Sequence, residues 1–291
     1  MNSQDNVIEI HNLSKYYGKA RGVTDVSFEV KQGEFFGFIG PNGAGKSTTI
    51  RVLMGLIRAT SGEARIFGMD VWKDKPRTLA RLGYLPSEIN FYKSQTVDDV
   101  LKLSADLHSS ECGATTEMLC ERLKLNRKQL VVDLSLGNRK KLGIVSALQH
   151  NPELIIMDEP TSGLDPLMQH EFFSILKERN DAGATILLSS HILSEVQTYC
   201  HRAAIIREGL LVACDNVGNL LKTRARSITV RGHFDPSAIE GCSRIERNGE
   251  NVHFLFDGDI RKLLNILSQS DIKDISIVEP NLEDIFMHYY K

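Results

Sequence analysis

The chain has 291 residues, of which 42% are hydrophobic and 25% are charged, proportions typical of a soluble globular protein with one large or two modest domains. Its formal net charge of −2 argues against a general nucleic-acid binder, and its five cysteines, which lack CxxC spacing, argue against a metal cluster and favour a reduced cytoplasmic environment. We find neither the apolar core of a signal peptide nor a run of about 18 apolar residues that could span a membrane. We therefore expect any role at a membrane to depend on a partner.

The first predicted strands, residues 7–10 and 23–30, lead to a continuously apolar strand at residues 35–39. The loop after it matches the pattern G-x-x-x-x-G-K-[ST], with Gly40, Pro41, Asn42, Gly43, Ala44, Gly45, Lys46 and Ser47, and Thr48 then lies in a predicted helix. This order of strand, loop and helix points backbone N–H groups into one concave nest that suits phosphate, so we expect all nine residues to contact it. Lys46 would place a charge on the β- and γ-phosphates, and the Ser47 hydroxyl would bind Mg²⁺.

From about residue 96 to residue 150, apolar residues recur at i, i+3 and i+4, which predicts helices. Three short apolar strands then follow, at residues 154–157, 185–188 and 203–206, with crossover helices at 168–180 and 193–200. Continuous apolarity is typical of central parallel strands that are covered on both faces. We predict an α/β domain over residues 1–222, with an inserted helical subdomain at about 90–150.

The residues beyond a linker near 222–226 have a different pattern. Alternating runs flank Asn248-Gly249, which is a strong hairpin signal. A helix is predicted at 260–267, a strand at 272–278 and a last amphipathic helix at 282–290. We predict a small C-terminal α+β domain over residues 227–291.

Three apolar strands of the α/β domain end in residues whose side chains or backbone groups can bind ligands or transfer protons. The first ends in the glycine loop, the second in Asp158-Glu159, and the third in Ser189-Ser190-His191. Ligands of open parallel sheets bind outside the carboxyl ends of the strands, so we expect these residues to meet. Asp158 would hold the Mg²⁺ hydration shell opposite Ser47, and Glu159 would take a proton from an attacking water. His191 would hydrogen-bond the γ-phosphate, although a structural histidine is the alternative.

A second anion site is predicted at Ser135 and Gly137, at the start of a predicted helix. One chain would then hold one glycine-lysine loop and two places for phosphate. A head-to-tail dimer accounts for this, because each second site would cover the nucleotide in the first site of the other chain. The alternative is that Ser135 is only an N-cap and Gly137 only a packing residue.

Taken in order, these motifs resemble the nucleotide-binding subunit of an ABC transporter over about residues 7–220. The matching segments are Tyr17, GPNGAGKST at 40–48, LSLGN at 134–138, LIIMDEP at 154–160, SGLD at 162–165 and His191. The C-terminal residues, with Pro-Asn-Leu-Glu-Asp-Ile-Phe at 280–286, are similar to the extension found in the bacterial drug- and antibiotic-export branch.

The resemblance implies a P-loop NTPase fold with an additional antiparallel β subdomain, and it implies ATP and Mg²⁺ as ligands. It implies that Tyr17 stacks on adenine, that Ser135 and Gly137 act in trans, that Asp165 belongs to the loop joining two sites, and that His191 is the switch histidine. The implied partners are a membrane-spanning permease and an identical or paired second ATP-binding subunit, with no nucleic acid. The chain would lie at the cytoplasmic face of the membrane.

Two positions depart from the family pattern. Ser87 occupies the position of a usual glutamine, so its hydroxyl would reach Mg²⁺ only through water or would leave the contact to Glu88. The signature has Leu136 and Asn138 where glycine and glutamine are usual. Both departures predict slower hydrolysis, and they leave open an ATP-sensing module with weak hydrolysis. A soluble ABC-type ATPase of DNA repair or translation is a further alternative, against which the absence of long coiled-coil insertions argues.

Overall fold

The computed structural model describes residues 6–18, 20–108, 111–220 and 226–278. The chain divides into two compact units, Met1–Cys214 and Asp215–Lys291. The sequence-based boundary at residues 222–227 remains a prediction, and the predicted last helix at 282–290 lies outside the described residues. In the ranges that the structure describes, no helix combines the length and the apolarity that crossing a bilayer requires.

The strands are, in chain order, β1 (Asn6–Tyr17), β2 (Ala20–Lys31), β3 (Phe35–Ile39), β4 (Ser61–Ile66), β5 (Met69–Asp70), β6 (Leu82–Leu85), β7 (Leu154–Asp158), β8 (Thr185–Ser190), β9 (Arg202–Arg207), β10 (Leu210–Asn216), β11 (Arg226–His233), β12 (Cys242–Asn248), β13 (Asn251–Phe256) and β14 (Asp271–Val278). The helices are α1 (Lys46–Leu53), α2 (Lys75–Leu79), α3 (Val97–Leu107), α4 (Gly113–Arg122), α5 (Leu136–Leu148), α6 (Pro166–Asp181), α7 (Leu193–Tyr199), α8 (Val217–Leu220) and α9 (Ile260–Ser268). Short 3₁₀ turns lie at Val131–Asp133 and Pro236–Ala238.

A six-stranded sheet with the order β10-β9-β3-β8-β7-β6 forms the centre of the first unit. The pairs β9/β3, β3/β8, β8/β7 and β7/β6 are parallel. All residues of β3, β7 and β8 are buried, as their continuous apolarity predicted. Because β8 pairs with both β3 and β7, the carboxyl ends of these three strands lie side by side. The predicted α/β class is confirmed.

A separate antiparallel sheet has the order β2-β1-β4-β5. Strand β1 is longer than the predicted strand at 7–10, because irregular pairing, with Asn12 at φ 48°, lets it continue to Tyr17. Tyr17 is therefore the last residue of a strand and pairs with Ala20.

The core of the first unit lies between the two sheets and helix α1. Phe28 of β2 stacks on Phe36 of β3, with ring centroids 5.4 Å apart. The guanidinium of Arg202 lies over the Phe36 ring, 5.5 Å from its centroid. The Phe28–Phe36 stack packs the antiparallel sheet against the strand that carries the glycine loop, whereas the Arg202 contact lies within the six-stranded sheet.

The predicted helical subdomain is present as α3, α4 and α5. Thr96 caps α3 in a capping box with Asp99, and α5 packs against α3, α4 and β6. Arg122 at the end of α4 forms ion pairs with Glu171 and Glu178 of α6, which connect this subdomain to the crossover helices of the sheet.

The second unit contains a four-stranded antiparallel sheet with the order β12-β13-β11-β14. The predicted hairpin is confirmed. Asn248 pairs with Asn251, so that the two-residue turn is Gly249-Glu250, with Gly249 at φ 60°. The buried core of this unit includes Phe254 and the α9 residue Leu263, which follows from the amphipathic pattern of the helix.

Two histidines stack where the helical subdomain meets the sheet. His108 caps the C-terminus of α3, and its ring lies parallel to that of His150, with centroids 3.6 Å apart. A ring nitrogen of His150 also contacts the Leu82 carbonyl oxygen at 3.2 Å. Burial, and to a smaller extent the nearby His108, lowers the pKa of His150 to about 4.

This pKa predicts a loss of stability in weak acid. An unfolded chain binds a proton at His150 below about pH 6.5, whereas the folded chain does not until about pH 4, so the free energy of unfolding falls as the pH drops through this range. After discounting for partial exposure, we expect a loss of about 1–2 kcal/mol between pH 7.5 and pH 5. Thermal melts of wild type and His150→Gln measure it, with the exposed His170→Gln as control. Equal pH slopes for wild type and His150→Gln would contradict the assignment.

Candidate functional site

The glycine loop turns between β3 and α1 because two glycines adopt positive φ angles, 79° at Gly43 and 113° at Gly45. A Cβ atom on Gly45 would lie 2.5 Å from Cγ1 of Val23 and 3.0 Å from the Gly22 carbonyl oxygen. Gly45 is also the N-cap of α1 and provides no capping side chain. The first amides of α1 are therefore oriented for an anion, with the positive end of the helix dipole behind them.

Lys46 is buried, with 5% of its surface exposed. Its ammonium donates to the carbonyl oxygens of Gly40, at 2.5 Å, and Pro41, at 3.2 Å, both within the glycine loop. It also forms an ion pair with Oε1 of Glu159 at 3.1 Å. A single charge thus connects the glycine loop with the acidic end of β7.

The two acidic residues at the end of β7 have different surroundings. Asp158 is 2% exposed, and its Oδ1 accepts a hydrogen bond of 2.6 Å from the Ser189 hydroxyl of β8. Glu159 leaves the strand at φ 51°, a left-handed conformation that costs a residue with a Cβ atom about 1–2 kcal/mol. Its carboxylate lies between Lys46 and Nδ1 of His191, which contacts Oε2. The three predicted strand ends therefore meet.

A cavity of about 300 Å³ lies in front of the glycine loop. It is lined by Tyr17, Arg21, Gly22, Pro41, Asn42, Gly43, Gly45, Lys46, Ser47, Thr48, Ser87 and Glu159. Arg21 and Gly22 were not predicted from the sequence, because nothing in their local pattern indicates that this part of β2 packs beside Gly45 and Thr48. A larger cavity of about 610 Å³ is lined by Gln32, Glu153 and Thr185, at the amino ends of β3, β7 and β8. The smaller cavity is the better ligand site, because it lies at the carboxyl ends of the strands.

Ser135, Gly137 and Asp165 do not line this cavity. The Ser135 hydroxyl accepts from the Asn138 amide at 3.2 Å, and the Asp165 carboxylate accepts from the Met168 amide at 3.0 Å, so both are helix N-caps. Gly137 packs so closely on the chain that a Cβ atom there would lie 2.8 Å from the Gly163 carbonyl oxygen. Within one chain, Ser135 and Asp165 therefore act as N-caps and Gly137 as a packing residue. Their predicted roles toward a nucleotide stay predictions.

Ser87 is held at the cavity wall through its backbone. Its carbonyl oxygen accepts from the ammonium of Lys140 at 3.2 Å, and the same ammonium donates to the Glu159 carbonyl oxygen at 3.1 Å. On β6, burial and the nearby Asp158 charge raise the pKa of Tyr84 to about 12. Lys140 was not among the predicted site residues, although its position three and four residues before Gly143 and Ile144 indicates the buried face of α5.

The loop geometry predicts unequal effects of two glycine substitutions. Gly45→Ala should weaken binding of the expected nucleotide by about tenfold or more, because the new methyl group clashes with Val23 and requires an unfavourable φ. Gly43→Ala is the matched control, since a Cβ atom there meets nothing within 4 Å and only the φ strain remains. Titration with a fluorescent ATP analogue compares the two variants. Equal affinities for both would show that the close approach at Gly45 is unimportant.

Comparisons with known proteins agree with this geometry. Residues 23–162 match the family model described as ABC transporter. The bacitracin transport ATP-binding protein BcrA of Bacillus licheniformis is 35% identical over 97% of this chain and 96% of its own length. The linearmycin resistance ATP-binding protein LnrL of Bacillus subtilis is 30% identical over 97% of each chain. A solved ATP-binding subunit of an ABC transporter superposes with a TM-score of 0.70 at 32% identity, covering 74% of this chain and 91% of that chain. This chain therefore belongs to the ATP-binding proteins of the ABC transporter family.

Proposed function

We propose that the chain is the ATPase subunit of an exporter whose membrane-spanning permease is a separate protein, and that the chain acts at the cytoplasmic face of the membrane. BcrA is described by its role in bacitracin transport and LnrL by linearmycin resistance, which supports an antibiotic-like cargo. The observation that carries the proposal is the meeting of Lys46, Glu159 and His191 beside the glycine loop.

The phosphates of ATP would bind to the amides of the glycine loop, with the Lys46 ammonium between the β- and γ-phosphates. Tyr17 and Arg21 line the same cavity and would contact the adenine and ribose side of the nucleotide. The Lys46–Glu159 ion pair keeps the ammonium near the place where the γ-phosphate would lie.

Mg²⁺ fits the oxygen donors at this site. Asp158 is a buried carboxylate whose Oδ1 is satisfied by a neutral hydroxyl, so a nearby hydrated cation would compensate its charge. Ser47 and Ser87 both line the cavity and offer hydroxyl groups, Ser87 through a water. When bound, the ion would neutralise part of the negative charge that develops on the phosphates during phosphoryl transfer.

Glu159 would act as the general base. Its carboxylate would accept a proton from water as the water oxygen attacks the γ-phosphorus, and the bond to the β-phosphate oxygen would break to release ADP and phosphate. His191 contacts the same carboxylate and would orient it, and we expect its ring to hydrogen-bond the γ-phosphate. Lys46 would stabilise the charge on the transferred group.

We propose that two ATP-binding subunits, identical or paired, assemble head to tail. Ser135 and Gly137 lie outside the cavity of their own chain, so they would serve the nucleotide held by the other subunit. Asp165 would lie in the loop joining the two sites. The exposed Leu136 would crowd the phosphate at the signature, which supports slower hydrolysis than in cassettes with glycine there.

An exposed apolar patch is a candidate contact surface for the permease. The patch consists of Tyr92, Leu130 and Val132, which are all exposed. Its two segments are adjacent because the Val131 amide donates to the Gln95 carbonyl oxygen at 2.9 Å, and because Thr96 and Leu130 form a β-bridge. Contiguous exposed apolar surface marks protein interaction sites, whereas single exposed apolar residues are common, so the role of this patch has to be tested by mutation.

Removing the general base should trap the dimer. We expect Glu159→Gln to form an ATP-dependent dimer on size-exclusion chromatography and to hydrolyse ATP at least about 100-fold more slowly than wild type. Lys46→Ala is the control, because it should lose ATP affinity and remain monomeric with ATP. Normal turnover by Glu159→Gln would refute the role of Glu159, and unchanged ATP binding by Lys46→Ala would refute the assignment of the loop.

The apolar patch predicts a specific loss of permease binding. Tyr92→Ala should reduce copurification with the native membrane partner, because Tyr92 is 75% exposed and contributes little to the fold. The matched control is Leu107→Ala, since Leu107 is 77% exposed and lies at the opposite end of α3. Pull-downs from solubilised native membranes measure both variants. Equal recovery of partner by Tyr92→Ala and wild type would remove the patch from the proposal.

A further inference from the structure

Lys140 is a charged residue in a position that normally suits an apolar side chain. It lies in the second turn of α5 and is 3% exposed, on the face that also carries Gly143 and Ile144. Lysine is rarely buried to this degree unless its charge is compensated. The burial of its charge therefore requires an explanation from the groups that the ammonium contacts.

The ammonium of Lys140 connects two separate segments of the cavity wall. It donates to the carbonyl oxygen of Ser87, which follows β6, and to that of Glu159, which follows β7. Ser87 and Glu159 both line the cavity in front of the glycine loop. One side chain of α5 thus bridges these two backbone segments.

Burial and the neighbouring charges have opposite effects on the charged form of Lys140. Burial lowers the pKa of Lys140 from its ordinary range, while the charges of Asp158 and Glu159 oppose this shift. Carbonyl oxygens accept from an ammonium without neutralising it, so the two acidic residues provide the balancing charge.

The contact with Glu159 matters because the backbone of this residue is strained. At φ 51° its left-handed conformation persists only if its surroundings hold it. The Glu159 amide donates to the Ser189 carbonyl oxygen at 3.1 Å, and the Glu159 carbonyl accepts from Lys140 at 3.1 Å. These two hydrogen bonds fix the peptide groups on either side of Cα and so direct the carboxylate toward Lys46 and His191.

We propose that Lys140 is a positioning residue for ATP hydrolysis, which orients Glu159 and connects it with the Ser87 loop and with the helix that Ser135 caps. The inference rests on the proposed function, because it takes Glu159 as the general base. Since Ser135 is the N-cap of the helix that carries Lys140, engagement of Ser135 by a nucleotide on the other subunit would be transmitted to Glu159 through a single rigid helix.

The test separates orientation of the base from nucleotide binding. We expect Lys140→Met to lower kcat by about tenfold while KM for ATP changes by less than about twofold, because the glycine loop is untouched. Lys140→Gln should recover most of kcat, since an amide N–H can still donate to one or both carbonyl oxygens. Lys141→Met is the matched control, as Lys141 has the same charge, is the next residue in α5 and is more exposed. Thermal melts of all three variants establish that each is folded.

A second readout asks whether Lys140 acts through Glu159. In the Glu159→Gln background, single-turnover hydrolysis should show no further loss on adding Lys140→Met, because residues that act as a unit are not additive. A further tenfold loss there, or a kcat of Lys140→Met equal to that of Lys141→Met, would overturn the inference. Absence of ATPase activity in the wild-type protein would overturn the proposed function as well, so the two failures are distinguishable.

Discussion

The ion pair between Lys46 and Glu159 is the interaction on which the site depends. Lys46 begins α1 at the end of the glycine loop, and Glu159 follows β7, more than 100 residues later in the chain. Both charges are largely withdrawn from water, so each would be costly without the other. The pair therefore requires that the loop, strand β7 and the intervening strand β8 stay in register.

That register is a property of the parallel sheet. Strand β8 pairs with β3 on one side and with β7 on the other, and all three strands are buried. Their carboxyl ends consequently present the glycine loop, Asp158 and His191 at one edge. Close packing of the core beneath, including the Phe28–Phe36 stack, limits how far this edge can deform. The chemistry of the site is thus supported by apolar packing that contributes no reacting group.

The helical subdomain connects the wall of the cavity with a surface outside it. Its helix α5 begins beside Ser135, which lies outside the cavity, and carries Lys140, whose ammonium reaches the cavity wall. The Arg122 ion pairs with Glu171 and Glu178 fix another helix of this subdomain to α6. A rigid connection of this kind can convert an event at one surface into a small displacement of Glu159, because close-packed helices move as units.

Local patterns determined much of this protein from sequence alone. The glycine loop, the buried strands β3, β7 and β8, the three helices of the subdomain and the hairpin at Asn248 each depend on residues close together in the chain, where spacing and turn chemistry suffice. Only the tertiary structure decided that Arg21 lines the cavity and that Lys140 joins Ser87 to Glu159. These features depend on contacts between distant segments, and a lysine in a helix has no local signal for the carbonyl groups it will meet. The sequence shows which residues are charged, whereas only the folded structure shows which groups each charge contacts.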